Sequence, residues 1–146
     1  KGNIMEKRIS LITLGARDQD ALGMFYDALG WVREESPDGV IAYDLIGQTF
    51  GIYPLNKLAE DIGVDIETLG HGASTFGHNV REKDEVAPLL AKAEAAGGKI
   101  LRPASDVFWG GYVGYFSDPE GHIWEVSHNP FSPLSEDGAF RWNGYG

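Results

Sequence analysis

The chain has 146 residues, enough for one domain with a substantial core or for two small modules that share one. It contains no cysteine, which excludes disulfides, zinc–thiolate clusters and thiol nucleophiles. Its net charge of −10 leaves no basic stripe for nucleic acid, and no apolar run approaches a membrane span or a signal segment, so we expect a cytoplasmic protein without nucleic-acid or membrane partners.

The first half, residues 8–54, predicts a strand, a helix and three further strands. Residues 9–13 form a short β-rich run. The helix that follows ends at Gly30, and its apolar positions recur at helical spacing: Leu22, Phe25, Tyr26 and Leu29. Strand-like runs complete this half at residues 31–35, 40–45 and 48–53.

The second half, residues 74–130, repeats this order. A strand is predicted at residues 75–80, a helix begins near Val86, and strands follow at residues 99–101, 112–116 and 122–127. The joint, residues 55–73, predicts a short helix and then a Gly-rich loop. The tail, residues 131–146, lacks periodicity, and we expect it to pack loosely or against a partner subunit.

The two similar halves predict the fold. A single βαβββ unit cannot bury both faces of its sheet, whereas two units side by side can. We therefore predict an α+β fold of two βαβββ modules. Their curved mixed β-sheets would have helices outside and a concave cavity inside, which is a natural small-molecule site.

The most informative segment is DPEGHIWEV, residues 118–126. Pro119 and Gly121 favour a β-turn that opens directly into a strand. Alternation along that strand places Glu125 on one face with Ser127, and Trp124 on the opposite, apolar face. A carboxylate on the concave side of a sheet is a candidate functional group, although it is also compatible with a merely hydrated groove.

The paired βαβββ halves, the segment MFYDALGW (residues 24–31) and the segment YFSDPEGHIWEV (residues 115–126) resemble the vicinal oxygen chelate superfamily. That group includes glyoxalase I, extradiol dioxygenases and the bleomycin- and fosfomycin-resistance proteins. The resemblance covers residues 8–130. It implies a homodimer and a divalent metal held by His and Glu side chains from the first and last strands of each half.

Carried onto this chain, the superfamily pattern places its four metal ligands at Leu11, Gly51, Thr75 and Glu125. Only Glu125 has a coordinating side chain of the expected kind. One carboxylate cannot fix or select a solvated divalent ion. We therefore predict no metal cofactor, with a displaced divalent-metal site as the alternative.

The histidines are the candidate ligands of such a displaced site. His78 lies three positions after Thr75 and is expected to point to the opposite face, although a register shift of one residue would turn it inward. Functional and structural roles are both open for His78. The others are interpreted as structural or surface histidines: His71, His122 and His128.

Two aromatic residues are further candidates for ligand binding. Trp109 stands beside Gly110 and Gly111, where it would either lie over the cavity mouth and stack on a planar or cationic ligand, or plug the end of the core. Tyr53 shares a predicted face with Gly51, whose missing side chain leaves space for part of a ligand.

Three functions remain open from the sequence. Our first prediction is a metal-independent protein that binds a cationic or aromatic small molecule, similar to the drug-sequestering members of the superfamily. The second is a lyase, isomerase or dioxygenase with a displaced metal site that uses Glu125 and His78. The third is a metal-free enzyme in which Glu125 is a general base, within about 3 Å of the proton it removes.

Overall fold

The computed structural model describes residues 4–36, 38–70 and 72–145. In chain order its elements are β1 (Leu11–Ala16), α1 (Gln19–Ala28), β2 (Ile41–Asp44), β3 (Thr49–Pro54), α2 (Leu55–Ile62), β4 (Phe76–Asn79), α3 (Val86–Ala95), β5 (Lys99–Asp106), β6 (Tyr112–Ser117) and β7 (Ile123–His128). Short 3₁₀ turns occupy Ile66–Thr68 and Lys83–Glu85. No helix in the described ranges is long and apolar enough to cross a membrane.

The strands form two mixed sheets that do not close into a barrel. The first sheet has the order β1-β3-β2, and the second has the order β4-β7-β6-β5. In each sheet the first strand of the half lies at an edge and runs parallel to the last strand of that half. The remaining neighbours are antiparallel. The prediction of an α+β fold with two mixed sheets is therefore confirmed.

Helix α1 starts where the sequence favours a helix N-terminus. The Asp18 side chain accepts a hydrogen bond of 3.0 Å from the Ala21 backbone N–H, which satisfies one of the unpaired donors at the start of the helix. Its buried face carries Phe25 and Tyr26, each 1% exposed. This face points into a core to which both halves contribute.

That core joins the two halves through aromatic side chains. Tyr26 of α1 lies 6.1 Å from Trp124 of β7 between ring centroids, and Phe50 of β3 lies 5.9 Å from Phe76 of β4. Each sheet thus turns one face toward the shared core. The opposite faces are left partly open, and these are the faces that carry the positions singled out by the superfamily pattern.

One predicted strand, at residues 31–35, is absent. The described residues of this stretch have no strand pairing beyond a hydrogen bond of 2.8 Å from the Glu34 backbone N–H to the Ala42 carbonyl. Trp31 instead stacks on Tyr26, with ring centroids 5.2 Å apart. The prediction was wrong because the apolar residue at the start of the run packs into the core without needing a sheet neighbour.

The described part of the tail is held by specific contacts. The Ser132 hydroxyl donates to the Trp142 carbonyl at 2.6 Å, and the Tyr145 backbone N–H donates to the Pro133 carbonyl at 2.8 Å. Arg81, which follows β4, donates to the Glu136 carbonyl at 2.8 Å. The tail is therefore fastened to the second half, which is tighter packing than the lack of periodicity predicted.

Candidate functional site

Glu125 lies on the open face of the second sheet. Its neighbours along β7, Trp124 and Val126, are 7% and 0% exposed and point into the core, as the alternation of a strand requires. Tyr115 is directly opposite Glu125 in β6. The Tyr115 hydroxyl donates a hydrogen bond of 2.9 Å to Oε2 of Glu125, so the carboxylate is positioned by a second side chain.

Gly77 borders the same carboxylate from the other side. It is paired with Glu125 across the parallel β4–β7 ladder. A methyl group built at Gly77 would meet only Oε1 of Glu125, at 3.8 Å. The half-buried carboxylate therefore has open space beside one oxygen and a fixed hydrogen-bond donor at the other.

The environment of Tyr115 keeps its hydroxyl protonated. Desolvation raises the pKa of Tyr115 above the ordinary 10.0, and the hydrogen bond to Glu125 and the negative charge of Glu125 raise it further. The positive charge of Arg102 acts in the opposite direction. At neutral pH Tyr115 is thus a donor, and Glu125 is its acceptor.

We expect Glu125→Gln to lower the ionisation midpoint of Tyr115 toward 10.0, because the carboxylate charge that opposes the phenolate is removed. The pKa of Tyr115 is higher in the folded protein than in the unfolded chain. The hydrogen bond between Tyr115 and Glu125 therefore contributes its full stabilisation at neutral pH. It is lost as the pH rises through the folded pKa. NMR titration of the Tyr115 ring measures the midpoint, and an unchanged midpoint in the variant would contradict the assignment.

The corresponding face of the first sheet carries both apolar and polar side chains, and Thr49 donates a hydrogen bond of 2.7 Å to Asp44 at one end of it. Gly51 is paired with Thr13 across β1 and β3, in the same way that Glu125 is paired with Gly77. Leu11 is 55% exposed, and its Cδ1 atom lies 3.7 Å from the place where a Gly51 side chain would begin. Tyr53 is half-buried two residues further along β3. This face therefore presents no carboxylate or imidazole at the positions of the superfamily pattern.

The remaining predicted residues of the second half differ in how they stand to the Glu125 face. Thr75 is exposed and directly precedes β4. Ser127 shares the Glu125 face but is only 3% exposed. The Trp109 ring, 38% exposed, folds against Gly111 in the loop before β6. Thr75 and Trp109 therefore lie outside the strands of this sheet, and Ser127 lies on the Glu125 face but beneath its surface.

His78 points away from Glu125, as the alternation predicts. It is paired with Val126, and it borders a small cavity of about 100 Å³ together with Tyr26, Trp31 and Trp124. The residue as a whole is exposed, yet the apolar groups around its ring lower the pKa of His78 by desolvation; the charge of Glu85 acts in the opposite direction. His78 and Glu125 therefore do not combine into one site within this chain.

A divalent metal does not fit the residues at the superfamily positions. They offer the Glu125 carboxylate, the Thr75 hydroxyl, and no donor side chain at Leu11 or Gly51. Within residues 4–36, 38–70 and 72–145, no three His, Asp or Glu side chains come together in a way that could hold a metal ion. His71 lies outside the described residues.

A separate cavity of about 460 Å³ lies between the linker and the edge strands β1 and β4. None of the predicted site residues lines it. Its polar lining includes Arg17, Glu120 and His122, and its apolar lining includes Leu55 and Leu58 of α2. We name it the linker cavity.

Sequence reasoning missed both Tyr115 and the linker cavity. Tyr115 had a usable signal, because a hairpin folded about the turn at residues 118–121 brings residue 115 opposite residue 125. The linker cavity had none. Arg17 and Glu120 are 103 residues apart, and only the packing of the two halves brings them together.

Comparison with known proteins identifies the class to which this architecture belongs. The model of the Glyoxalase/Bleomycin resistance protein/Dioxygenase superfamily matches residues 8–126. The match spans most of the chain, and the chain therefore belongs to this superfamily. The resemblance inferred from the sequence is confirmed.

Individual relatives agree with that assignment. A glyoxalase-related enzyme from Fulvimarina pelagi is 37% identical in sequence and superimposes with a TM-score of 0.87, covering 94% of this chain and 99% of that one. A glyoxalase/bleomycin resistance protein/dioxygenase family enzyme from Burkholderia phytofirmans PsJN shares the fold at 20% identity, with a TM-score of 0.73, covering 83% of this chain and 98% of that one.

A curated relative is considerably longer than this chain. The protein CFP32 of Mycobacterium tuberculosis, which carries a provisional glyoxylase name, is 24% identical over 141 residues. The alignment includes 90% of this chain but 51% of CFP32. This chain therefore spans about half the length of that relative.

Proposed function

We propose that this protein binds a small cationic or aromatic molecule on the open face of its second sheet, with Glu125 as the anionic anchor. The observation that carries the proposal is the Tyr115–Glu125 hydrogen bond of 2.9 Å beside the open space at Gly77. Tyr115 holds one carboxylate oxygen, and the other oxygen faces room for a ligand group. The net charge of −10 adds attraction for a cation.

The proposed binding does not use the divalent metal of the superfamily. A divalent ion needs several ligands at once, and the four corresponding positions supply one carboxylate. After incubation with Zn²⁺, Ni²⁺, Mn²⁺ or Fe²⁺ and removal of the excess, we expect elemental analysis to find no stoichiometric metal. Near-stoichiometric retention that disappears in Glu125→Ala would replace this proposal with a displaced metal site.

We expect Glu125→Gln to weaken binding of a cationic ligand about tenfold or more, because a charge-assisted hydrogen bond contributes ~1.5–3 kcal/mol. Calorimetric titration with paired compounds, an aromatic ammonium and its neutral isostere, measures this. The matched control is Glu94→Gln, on the exposed surface of α3, which should leave the affinity unchanged.

Two outcomes would count against sequestration through Glu125. Equal affinity of the wild type and Glu125→Gln for the ammonium compound would remove Glu125 from the site. Turnover of a substrate that is lost in Glu125→Gln while its affinity survives would make Glu125 a general base. The second outcome would agree with the Fulvimarina pelagi relative, which is described as a glyoxalase-related enzyme.

We also propose that the protein is a homodimer in which the open face of the first sheet takes part. Leu11 is 55% exposed on this face, beside Gly51 and near Val40, so an apolar side chain is left uncovered there in one copy. Covering it with the open face of the second sheet of another copy would also enclose Glu125 and exclude water from the ligand.

Sedimentation should therefore find a dimer in the wild type, and Leu11→Asp should shift the population to monomer. A charge placed in a desolvated interface without a partner is strongly unfavourable. Met24→Asp is the control, because Met24 is 66% exposed on α1, away from this face. A wild-type monomer, or a dimer that tolerates Leu11→Asp, would contradict the proposed interface.

A further inference from the structure

The linker cavity carries chemistry that the proposed function does not use. Its volume of about 460 Å³ falls within the ~300–1,000 Å³ typical of small-molecule sites. Neither Glu125 nor Tyr115 lines it. Arg17 and Glu120 lie together at its lining, and apolar side chains from α2, the linker loop and the two sheets also line it: Leu55, Leu58, Leu69, Phe76 and Ile123.

We propose that the linker cavity binds a small monocarboxylate with an aliphatic or phenyl body, and that Arg17 receives the carboxylate. Among the described residues, the Arg17 guanidinium has no hydrogen-bond or ion-pair partner. Its side chain therefore lies at the cavity with its donors available. The planar fork of a guanidinium matches a carboxylate with two parallel hydrogen bonds.

Glu120 is near Arg17 but is engaged elsewhere. Its carboxylate accepts hydrogen bonds from the backbone N–H groups of Arg17, at 3.1 Å, and of Asp18, at 2.9 Å. These bonds turn both oxygens toward the start of α1. The guanidinium of Arg17 is left available to a ligand, while the Glu120 charge remains at the lining of the cavity.

The charges of Arg17 and Glu120 favour a monoanion over a dianion. Arg17 attracts one negative group, and Glu120 repels anions, a dianion more strongly than a monoanion. His122 also lines the cavity, with Nδ1 held 2.8 Å from the Asp118 carboxylate. Inorganic phosphate, with its second charge, should therefore be rejected. A primary amine should also be rejected, because its cation would face Arg17.

The apolar lining supplies the rest of the affinity. Burial of an alkyl chain contributes roughly 0.8 kcal/mol per CH₂ group. Hydroxyl groups of Thr13 and Ser74 also line the cavity and offer further donors to the carboxylate. The expected ligand is thus amphipathic, with one charged end and one apolar end.

The test is a calorimetric or NMR titration of the full chain with three probes: hexanoate, hexylamine and inorganic phosphate. Hexanoate should bind saturably, and the other two should not bind. Arg17→Gln should weaken hexanoate binding about tenfold or more, since a charge-assisted hydrogen bond is lost. Arg17 is exposed, so this variant is expected to fold.

Two control variants separate this site from the open face of the second sheet. Arg102→Gln removes a charge that acts on Tyr115, and Glu125→Gln alters the proposed anchor there; neither should change hexanoate affinity. Absence of saturable hexanoate binding would overturn the proposal, as would equal affinity in Arg17→Gln. Displacement of hexanoate by phosphate would overturn the monocarboxylate assignment.

Discussion

Replacing Trp124 with alanine should lower the free energy of unfolding by about 3–5 kcal/mol, the usual cost of removing a large aromatic side chain from a core. Trp124 is 7% exposed. Aromatic side chains from both halves of the chain surround it, each with its ring centroid no more than 6.1 Å from that of Trp124: Tyr26, Trp31, Phe50, Phe76 and Phe116. Its Nε1–H also donates to the Tyr26 hydroxyl at 3.0 Å.

The reason for this large effect is that Trp124 belongs to the contact between the halves as well as to its own sheet. Its loss would leave a cavity bordered by rigid rings, which cannot collapse to fill it. Trp124→Phe should cost less than Trp124→Ala, because a ring remains and only the larger part of the indole and its N–H are lost.

Chemical denaturation followed by circular dichroism measures this difference at one fixed protein concentration, since self-association would change the apparent stability. The matched control is Trp142→Ala. Trp142 is 80% exposed in the tail, and only its backbone carbonyl takes part in the hydrogen bond with Ser132. It should change stability by less than about 0.5 kcal/mol. Similar losses in both variants would contradict the central position of Trp124.

Asp118→Ala should lower the free energy of unfolding by about 3–5 kcal/mol, the scale seen when one partner of a buried polar pair is removed. The Asp118 side chain is fully buried. It accepts the Tyr26 hydroxyl at 2.7 Å, the backbone N–H groups of Glu120 and His122 at 3.0 and 2.9 Å, and contacts Nδ1 of His122 at 2.8 Å.

Removing this carboxylate would leave several buried donors without an acceptor. Tyr26 cannot compensate by ionising, because its burial, which Asp118→Ala leaves in place, raises the pKa of Tyr26 above its usual range. Asp118→Asn should cost less than Asp118→Ala, because its amide oxygen still accepts the two backbone N–H groups of the turn.

The matched control is Asp106→Ala. Asp106 forms an ion pair with Lys83 at 3.0 Å, but 76% of its side chain is exposed, and exposed pairs contribute only about 0–1 kcal/mol. Denaturation at neutral pH compares the two alanine variants. If Asp118→Ala were no more destabilising than Asp106→Ala, the buried network would not hold the halves together as described.

The local features of this fold were readable from the sequence. The turn at Pro119 and Gly121, the inward direction of Trp124, and a short helix at the start of the joint are predicted from the sequence and are confirmed. Each depends on a property that repeats along a few residues, namely the period of two in a strand or of 3.6 in a helix. The same reasoning failed at residues 31–35. The apolar residue Trp31 suggested a buried strand there, but its side chain is buried by stacking on Tyr26 and the segment does not join a sheet.

The candidate site was readable only in part. Alternation along β7 placed Glu125 on the face away from the core, and the superfamily pattern singled it out among the carboxylates. Tyr115, its hydrogen-bond donor, was overlooked although the hairpin register determines it. No sequence pattern predicts the linker cavity, because Arg17 and Glu120 are distant in the sequence and form a site only when folding brings them together.

The sequence by itself determined the type and order of the elements, the repetition of one unit in each half, and the faces of β7. Only the tertiary structure decided which faces meet. Tyr26 reaches Asp118 across 92 residues of chain, and the Arg17 backbone reaches Glu120 across 103. The periodicity of a helix or strand is a local property, and a short run of neighbouring residues is enough to reveal it. The choice of a distant partner depends on how all the buried side chains fill the core together, and no short segment of the sequence records it.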